Sequence, residues 1–441
     1  MDRRVGGSRS LDDASSGSTP HTPTIARILE MPSVVGLLWV IVLAVAAFLA
    51  FQRYRDATVF PADFGIFFRA GQAVAAGHSP YSVSGFVYPP FLAVVLAPFS
   101  HVGVLEVFRG WLVLSLACVG LAIVCVLWVE VRPCPRWLTP LLFGFFAVTA
   151  FHFWPLVIEL PDGQSDTLVL AVLSLAYVAI SRGRSVTSAV LVALAALIKG
   201  WPVLIGVVFL QSRLTRRVQS LVAFAVVLLV APILAVVVDG APGPRAMISA
   251  IAVARSQPRL ASYSVWGIPR LTFATTRIGH PLVLSPLLTV ISTVVLLGWV
   301  VGILVLGLRH AECDRGLTFW NVVFCVVLLL PISHLTYTML ALPVLWIWSV
   351  RATRSRQWVT VETVVFAVLL VWWLTVSQSA LGLDTDQASA TIVFFADLVA
   401  CTTSIVGLAL VDARSTVVDP LGSWSWSPPA PRSTEASGAE V

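Results

Sequence analysis

The segment between residues 60 and 90 combines an acid with glycine, proline and aromatic side chains, directly after the first long hydrophobic run. Asp63 is the acid, and a carboxylate so close to a bilayer is costly unless it is solvated or has a function. The same segment holds Gly77, Pro80, Tyr81, Tyr88, Pro89 and Pro90. Taken alone, Asp63 could equally cap a short helix or pair with Arg69. Its neighbours favour a folded surface feature over a plain connector, so Asp63 is a candidate for acid–base chemistry.

Lys199 is the only lysine among 28 basic residues, and it interrupts the apolar run AALIKGWPVL. A lysine in this position either extends its ammonium group to the membrane interface or binds an anionic headgroup. Gly200, Trp201 and Pro202 follow it and keep the backbone open around it. Both interpretations stand on the sequence alone, and the second makes Lys199 a candidate phosphate ligand.

A polar cluster, Asp162-Gly163-Gln164-Ser165-Asp166, begins the hydrophobic run 164–181. Asp162 or Ser165 is expected to cap this helix by accepting hydrogen bonds from amides of its first turn. A helix N-terminus at the outer face of a membrane also attracts a phosphate or a sugar-bound anion. Capping therefore does not exclude a binding site here.

The longest segment predicted at the outer face, 239–282, is rich in arginine and carries aromatic residues. Its arginines are Arg245, Arg255, Arg259, Arg270 and Arg277, and its aromatic candidates are Tyr263 and Trp266. Arginine forms bidentate contacts with phosphate, and aromatic rings are expected to stack on sugar faces. Part of this set is therefore predicted to bind phosphate and sugar. His334 and Tyr337, in a later break between apolar runs, are either polar contacts between helices or site residues.

The composition places the chain in a membrane. Its 441 residues are 58% hydrophobic and 11% charged, with a mean hydropathy of +0.92, whereas soluble domains contain about 25% charged residues. The net charge of +6 does not point to nucleic acid, because the arginines stand between hydrophobic runs, as in cytoplasmic loops that follow the positive-inside rule. The six cysteines form no CxxC pair, so neither a disulfide framework nor a metal site is predicted. No cofactor is predicted either.

Eight hydrophobic runs are long enough to cross a bilayer, which takes about 17–25 apolar residues. They are 34–51, 105–128, 137–157, 164–181, 219–238, 283–307, 359–379 and 391–411. Four shorter runs, 186–198, 200–212, 318–330 and 335–349, form two pairs that polar or helix-breaking residues interrupt. Counting each short run as a crossing predicts about twelve transmembrane helices. The run 89–99 is too short to count and is predicted to be re-entrant or to lie along the surface.

Arginine clusters set the predicted orientation, with both termini in the cytoplasm. The clusters are Arg132/Arg136, Arg182/Arg184, Arg213/Arg216/Arg217, Arg309/Arg315 and Arg351/Arg354/Arg356. Asp63, Lys199 and the 239–282 segment then share the outer face. Residues 1–33 and 412–441 are predicted to be disordered cytoplasmic tails that flank a membrane domain at 34–411.

The unusual polar residues all fall at the predicted outer face, whereas the inner face has short basic loops. This one-sided arrangement favours an enzyme at the outer leaflet over a transporter or flippase, which needs a path to both faces and a midplane site. A non-catalytic scaffold is disfavoured because Asp63 and Lys199 would cost energy without a use. GxGxxG and the P-loop are absent, and Asp384-Thr385-Asp386 is a DxD spacing in an isolated loop. A sugar transferred outside should therefore come from a lipid-linked donor, because nucleotide sugars are cytoplasmic.

In the order and spacing of these motifs, the chain resembles the bacterial polyprenyl-phosphate-sugar-dependent glycosyltransferases of family 87 in the GT-C superfamily. These relatives include membrane α-mannosyltransferases that elongate phosphatidylinositol mannosides and lipomannan, and a related arabinofuranosyltransferase. The resemblance covers about residues 34–350 and rests on the Asp63 segment, Gly77…Pro80-Tyr81, Tyr88-Pro89-Pro90, Gly163-Gln164, Lys199 with Pro202, Gly267…Arg270 and Pro331-Ile332-Ser333.

The resemblance implies an all-α GT-C fold of about twelve transmembrane helices, with an active site formed by outer-face loops. It implies that Asp63 is the catalytic base and that Lys199 and Arg270 bind the donor phosphate. The implied reaction moves a sugar, with α-linked mannose as the first expectation, from a polyprenyl-phosphate-sugar to an envelope glycolipid or polysaccharide, with inversion. The implied location is the plasma membrane, with the active site facing outwards. An arabinofuranosyltransferase of the same fold or a flippase for lipid-linked glycans is the alternative.

Two stretches depart from the family pattern, so the sugar and acceptor pockets are expected to differ. His334-Leu335-Thr336-Tyr337 stands where the family often has Trp-x-His-His, and Ser262-Tyr263-Ser264 replaces the Asn or Gln usual before the loop glycine. The residues predicted to contact the sugar or acceptor are Tyr81, Tyr88, Gln164, Tyr263, Trp266, His334 and Tyr337.

Overall fold

The computed structural model describes residues 28–57, 62–131, 134–211, 214, 216–256, 262–275, 281–311, 313–355, 359–379 and 387–417. All regular elements within these residues are helical. The α-helices are α1 (Pro32–Asp56), α2 (Ala62–Ala75), α3 (Phe91–Leu96), α4 (Val104–Glu130), α5 (Leu138–Phe151), α6 (Trp154–Asp162), α7 (Asp166–Ser181), α8 (Ser185–Lys199), α9 (Arg217–Leu228), α10 (Val230–Asp239), α11 (Gly243–Ser256), α12 (Gly267–Phe273), α13 (Pro286–Arg309), α14 (Arg315–Leu329), α15 (Leu342–Arg354), α16 (Val361–Ser379) and α17 (Gln387–Val417). Short 3₁₀ segments occupy Pro80–Ser82, Ala97–Phe99, Trp201–Leu210 and Leu335–Ala341. The all-α class is therefore confirmed.

Seven segments of the described chain are long and apolar enough to cross a membrane. They are Pro32–Asp56, Val104–Glu130, Arg217–Asp239, Pro286–Arg309, Leu335–Arg354, Val361–Gln378 and Ser389–Ser415. Helices α5 and α6 together make an eighth, although the chain bends by 62° between them. These segments confirm a polytopic membrane protein.

The predicted count of about twelve transmembrane helices is not reached by helices of spanning length. Four apolar helices are shorter: Asp166–Ser181, Ser185–Lys199, Trp201–Leu210 and Arg315–Leu329. The longest of them, α7, has 16 residues and is therefore about 24 Å long, against a hydrocarbon core of about 30 Å. The run 164–181, predicted as a full span, is this short helix. Twelve crossings and the GT-C fold remain predictions.

Two of the inner helices, α14 and α15, are almost completely surrounded by protein. Every residue of α14 from Gly316 to Leu328 is buried, and so is every residue of α15 from Leu342 to Val350. Helix α1, by contrast, leaves all its side chains at least partly exposed. A helix enclosed by other helices need not match the bilayer thickness, because its ends are covered by protein and not by lipid.

Buried tryptophans connect the inner helices to their neighbours by hydrogen bonds. Trp346 Nε1–H donates to Thr149 Oγ1 at 2.9 Å, and Trp348 Nε1–H donates to Ser404 Oγ at 2.7 Å. Ser404 Oγ–H in turn donates to Asn321 Oδ1 at 2.8 Å. A buried indole N–H usually finds a partner, so these bonds fix α15 against α5 and α17, and α17 against α14.

Residues 62–90 of the acid-bearing segment after α1 form a folded feature, as the composition of the segment predicted. Helix α2 buries Phe64 and Phe67 completely and packs closely on α3. A Cβ atom at Gly71 would lie 2.9 Å from Leu96 Cβ, so glycine permits this approach. The run 89–99 contains the six-residue helix α3, whose buried side chains pack on the interior. It is therefore a short packed helix and not a crossing.

Helices α7 and α8 form a hairpin that carries an acid and a lysine at one end and arginines in the turn at its other end. Helix α7 starts at Asp166 and α8 ends at Lys199, and their other ends are joined at Arg182–Arg184. Helix α14 starts beside that turn, since a Cβ atom on Gly316 would lie 2.6 Å from Ser181 Oγ. The structure thus separates the candidate site from the predicted cytoplasmic loops.

The last helix continues beyond residue 411, where the membrane domain was predicted to end. Helix α17 runs to Val417, and its residue Asp412 contacts Cys313 and lies 2.7 Å from His310 Nδ1. Residues 412–417 are therefore helical and not part of a disordered tail. The rest of the predicted tails, 1–27 and 418–441, lies outside the described residues. So do Arg132, Arg213, Arg259, Arg277, Arg356, Asp384, Asp386 and the side chain of Arg255.

The orientation predicted by the positive-inside rule can be tested by cysteine labelling. After replacement of the six native cysteines, a cysteine at Ser82, which is exposed, should react with an impermeant thiol reagent on intact cells. A cysteine at Arg184, exposed in the turn between α7 and α8, should react only after permeabilisation. The reverse labelling pattern would show that the orientation is inverted and that the candidate site faces the cytoplasm.

Candidate active site

A cavity of about 620 Å³ lies where α2, the start of α7, the end of α8 and the 3₁₀ segment Leu335–Ala341 meet. Seven of the ten predicted site residues line it: Asp63, Tyr88, Gln164, Lys199, Tyr263, His334 and Tyr337. Three do not: Tyr81, Trp266 and Arg270. Residues from distant parts of the chain thus converge on one space.

Four polar side chains, three of which line the cavity, form a continuous chain of contacts. Gln164 Nε2–H donates to Asp63 Oδ2. Lys199 Nζ donates to Gln164 Oε1 at 3.0 Å and lies 2.6 Å from Asp166 Oδ1. The side chains of Lys199 and Asp166 are 1% and 0% exposed. The ion pair is therefore shielded from solvent, and the side-chain amide of Gln164 connects it to Asp63.

The chemistry of its neighbours fixes the orientation of the Gln164 side chain. An ammonium group only donates hydrogen bonds, and an ionised carboxylate only accepts them. The carbonyl oxygen of Gln164 must therefore point to Lys199, and its NH₂ group must point to Asp63. Gln164 lines the cavity, as expected for a residue that contacts sugar or acceptor, but its side chain is engaged by the protein at both ends.

The surroundings of Lys199 exclude one of its two sequence interpretations. A snorkelling lysine extends its ammonium group to water, whereas Lys199 Nζ is buried beside Asp166 and lies 4.4 Å from the ring centroid of Tyr337. The interpretation as an interfacial anchor is therefore wrong. Lys199 does line the cavity, so its role toward a phosphate stays a prediction.

Two glycines with positive φ end the helices that meet at the cavity. Gly163 (φ +67°) ends α6, and Gly200 (φ +78°) ends α8. At Gly163 a Cβ atom would lie 2.5 Å from Phe64 Cβ, so any side chain there would push α2 away. The absence of a side chain lets the turn between α6 and α7 lie against α2, which brings Gln164 to Asp63.

The sequence interpretation missed the two acids that support this arrangement. Asp166 is the counter-ion of Lys199, and Thr336 Oγ1–H donates to its other oxygen at 3.2 Å. Glu159 Oε1 accepts a hydrogen bond from the Asp166 backbone N–H at 2.8 Å. The sequence did indicate that such an acid should exist, because a lysine inside an apolar run requires a carboxylate partner when it is buried. The sequence does not say which acid that is.

The cap of α7 also differs from the prediction. Ser165 occupies the N-cap position, but its side chain accepts no capping hydrogen bond, so the prediction for Ser165 is wrong. Glu159, from the preceding helix, satisfies the first amide instead. Asp162, the other predicted cap, lines the cavity.

Aromatic side chains line the cavity beside the ion pair. Trp201 and Tyr337 stack with their ring centroids 5.9 Å apart, and His334 meets Tyr337 edge-on at 5.5 Å. Tyr88 packs on Phe67 at 4.9 Å. Burial raises the pKa of the Tyr88 hydroxyl, so this group is neutral at physiological pH and able to donate a hydrogen bond. Trp201 was not among the predicted site residues, although it follows Lys199 closely in sequence.

The two stretches that depart from the family pattern are adjacent in space. Tyr263 N–H donates to Ser333 O at 3.0 Å, and Ser333 N–H donates to Ser262 Oγ at 3.0 Å. These bonds place Tyr263 next to the chain that continues into His334, and both residues line the cavity. The departures therefore belong to one part of the cavity wall.

Trp266, Tyr81 and Arg270 have other surroundings. Trp266 Nε1–H donates to Leu329 O at 2.8 Å, which anchors the start of α12 to the end of α14. Tyr81 O–H donates to Tyr88 O at 3.4 Å and so supports the segment that carries Tyr88. Arg270 is exposed on α12. Their predicted contacts with a substrate remain predictions.

The cavity combines a carboxylate that can accept a proton, an ammonium group and aromatic surfaces. In the part of the chain that the structure describes, no three His, Cys, Asp or Glu side chains are grouped as metal ligands. A base and a cation in one cavity suit a transfer in which a hydroxyl is deprotonated and negative charge grows on a leaving group. With the hydrophobic helix bundle, these features describe a membrane-bound transferase.

The chain belongs to glycosyltransferase family 87, whose model matches residues 86–331, more than half of the sequence. The predicted family is thus confirmed, and the protein is a membrane glycosyltransferase. The matched region contains Gln164 and Lys199, whereas Asp63 lies before it and His334 and Tyr337 lie after it. No curated protein matches the sequence.

The buried ion pair gives a stability prediction. Lys199→Met leaves Asp166 as a buried charge without its counter-ion, and breaking a buried pair in this way costs about 3–5 kcal/mol. We expect the variant in detergent to melt at a clearly lower temperature than the wild type. The double variant Lys199→Met/Asp166→Asn removes both charges and should recover most of the loss. Thermal unfolding followed by circular dichroism measures both. Equal melting temperatures for the single and double variants would show that the loss in Lys199→Met does not come from the unpaired charge of Asp166.

Proposed function

We propose that the protein transfers a sugar from a polyprenyl-phosphate-sugar to a hydroxyl group of a cell-envelope glycolipid or polysaccharide, at the outer face of the plasma membrane. The observation that carries the proposal is the position of Asp63, which is held by Gln164 in the same cavity as Lys199. Family membership supplies the reaction class. The lipid-linked donor follows from the predicted outward orientation, because nucleotide sugars are confined to the cytoplasm.

In the proposed reaction Asp63 accepts the proton of the acceptor hydroxyl. The hydroxyl oxygen forms a bond to the anomeric carbon from the face opposite the lipid phosphate, and the bond between that carbon and the phosphate oxygen breaks. The electron pair of the broken bond leaves with the phosphate. Because the hydroxyl attacks from the face opposite the phosphate, the configuration at the anomeric carbon inverts. Phosphate is a good leaving group, so one carboxylate suffices, unlike glycoside hydrolysis, which uses an acid and a base.

Negative charge grows on the departing phosphate, and a nearby cation would stabilise it. Among the described residues that line the cavity, Lys199 is the one lysine or arginine. It is therefore better placed for this role than Arg270, which is exposed and does not line the cavity. The ammonium group is already paired with Asp166, so a phosphate would join an existing pair. Arg270 is kept as a proposed contact for a donor that extends beyond the cavity.

Mannose in α-linkage is the proposed sugar, on the strength of the family resemblance. Tyr88, Tyr263, His334 and Tyr337 are the proposed contacts for sugar or acceptor, since all four line the cavity. The His334–Tyr337 stretch departs from the pattern of the mannosyltransferases, so synthetic polyprenyl-phosphate-mannose and polyprenyl-phosphate-arabinofuranose should be compared directly. Glycolipid and lipoglycan profiles of a deletion strain would identify the acceptor.

Asp63→Asn tests the proposed base. The substitution keeps the size of the side chain and removes its ability to take a proton, and a general base contributes about 100-fold or more. We expect sugar transfer from the synthetic donor to fall by at least that factor, with an unchanged elution volume in detergent. Asp56→Asn, the same change at an exposed residue outside the cavity, should transfer sugar like the wild type. Near-normal turnover in Asp63→Asn would remove Asp63 from the mechanism.

The donor KM tests the proposed phosphate contacts. In the double variant Lys199→Met/Asp166→Asn, neither member of the ion pair is left as an unpaired charge, so the loss of the cation can be measured on folded protein. A charged hydrogen bond contributes about 1.5–3 kcal/mol, so the donor KM should rise about 10–150-fold. Arg270→Met, measured alongside, is expected to raise it less. A larger rise for Arg270→Met than for the double variant would transfer the phosphate role to Arg270.

A further inference from the structure

The side chain of Gln164 contacts both the proposed base and the buried lysine. Its NH₂ group donates to Asp63 and its carbonyl oxygen accepts from Lys199 Nζ at 3.0 Å. The residue is 8% exposed, so protein surrounds most of it. A glutamine that served only to bind a sugar would need its polar atoms directed to the cavity, whereas here one donor and one acceptor are used by the protein.

We propose that Gln164 is a positioning residue, which holds Asp63 in the orientation that accepts the acceptor proton, and that the Lys199–Asp166 ion pair sets the orientation of Gln164. This proposal rests on the proposed function, because it assigns a support to the base of that reaction. It replaces the expectation that Gln164 acts chiefly as a ligand for sugar or acceptor.

The ion pair is needed because a glutamine amide has two orientations of similar shape. With its oxygen toward Asp63, the amide would place an acceptor against a carboxylate, and the hydrogen bond would become a repulsion. Lys199 excludes that orientation, because it would then face an NH₂ group with its own N–H donors. One buried cation therefore determines which end of the amide meets Asp63.

The ion pair is itself held from several sides. Asp166 accepts from Thr336 Oγ1 at 3.2 Å, and its backbone N–H donates to Glu159 Oε1 at 2.8 Å. Lys199 is the last residue of α8, and its Nζ atom lies 4.4 Å from the ring centroid of Tyr337. The support for Gln164 thus comes from α6, α7, α8 and the 3₁₀ segment Leu335–Ala341. Catalytic groups need such supporting contacts to stay within a fraction of an ångström of their working geometry.

Gln164→Glu tests the proposal through the pH dependence of transfer. The variant places a second carboxylate against Asp63, and two acids in contact cannot both ionise easily, so Asp63 should hold its proton to higher pH. We expect the acidic limb of the pH–kcat profile to move to higher pH by about one unit or more, with activity recovering in alkaline buffer. Gln72→Glu makes the same change at a residue outside the cavity and should leave the profile unchanged.

Gln164→Met supplies a second measurement that does not depend on a new charge. It removes the hydrogen bond to Asp63, so kcat should fall about 10–150-fold, while the KM values for donor and acceptor stay near those of the wild type. In the Asp63→Asn background the same substitution should cause little further loss, because there is no base left to position. Raised KM values with an unchanged pH profile in Gln164→Glu would overturn the proposal and restore Gln164 as a substrate ligand.

A third measurement keeps this proposal separable from the proposed function. A hydrophobic carbodiimide reacts with protonated carboxyl groups, and mass spectrometry can follow its addition to the Asp63 peptide across pH without any sugar donor. We expect the midpoint of Asp63 labelling to be higher in Gln164→Glu than in the wild type or Gln72→Glu. A shifted midpoint in a protein that transfers nothing from polyprenyl donors would refute the proposed function, while the interaction between Gln164 and Asp63 would stand. An unshifted midpoint in an active enzyme would refute the contact of Gln164 with Asp63 as a positioning contact and leave the proposed function intact.

Discussion

The ion pair between Lys199 and Asp166 is the interaction on which the candidate site depends. An isolated charge in the interior of a membrane protein is strongly unfavourable, and pairing with hydrogen-bonded neighbours makes it tolerable. The two residues lie at adjacent ends of α7 and α8, so the pair forms only when those helices pack side by side. The Gln164 amide and the Tyr337 ring both contact the ammonium group of this pair.

Much of the architecture could be predicted from sequence because a bilayer imposes a strict composition on whatever crosses it. Long apolar runs identified the outer helices, and the arginines between them predicted an orientation. The inner helices were harder, because a helix such as α14 that is enclosed by protein is not bound by the length of a span. Its 15 residues carry the same apolar signature as a crossing, so the sequence alone does not distinguish an enclosed short helix from a transmembrane span.

For the site, too, the sequence predicted residues of unusual type but not how they pair in the folded protein. Asp63 and Lys199 were predicted because each is expensive near a membrane and thus stands out against an apolar background. Asp166 and Glu159 both support this arrangement in the structure, but Asp166 lies in a short polar stretch where capping is the ordinary explanation, and Glu159 lies just before that stretch. Trp266 and Arg270 were predicted from residue type, and only the packing of α12 shows that they lie away from the cavity. Pairing across the chain depends on tertiary contacts that spacing does not encode.

The helical hairpin of α7 and α8 has a consequence for how the chain enters the membrane. Asp166 stands at its first residue and Lys199 at its last, so the two opposite charges arrive at the same edge when the hairpin closes. A single ionised residue inserted alone is unfavourable, with a cost of about 2.5–3.5 kcal/mol at the centre of a bilayer on the scale set by the cellular insertion machinery and a smaller cost toward the membrane surface. Inserted as a closed hairpin, the two charges travel as one neutral pair. The contact that organises the cavity therefore favours co-insertion of both helices over their release into lipid one at a time.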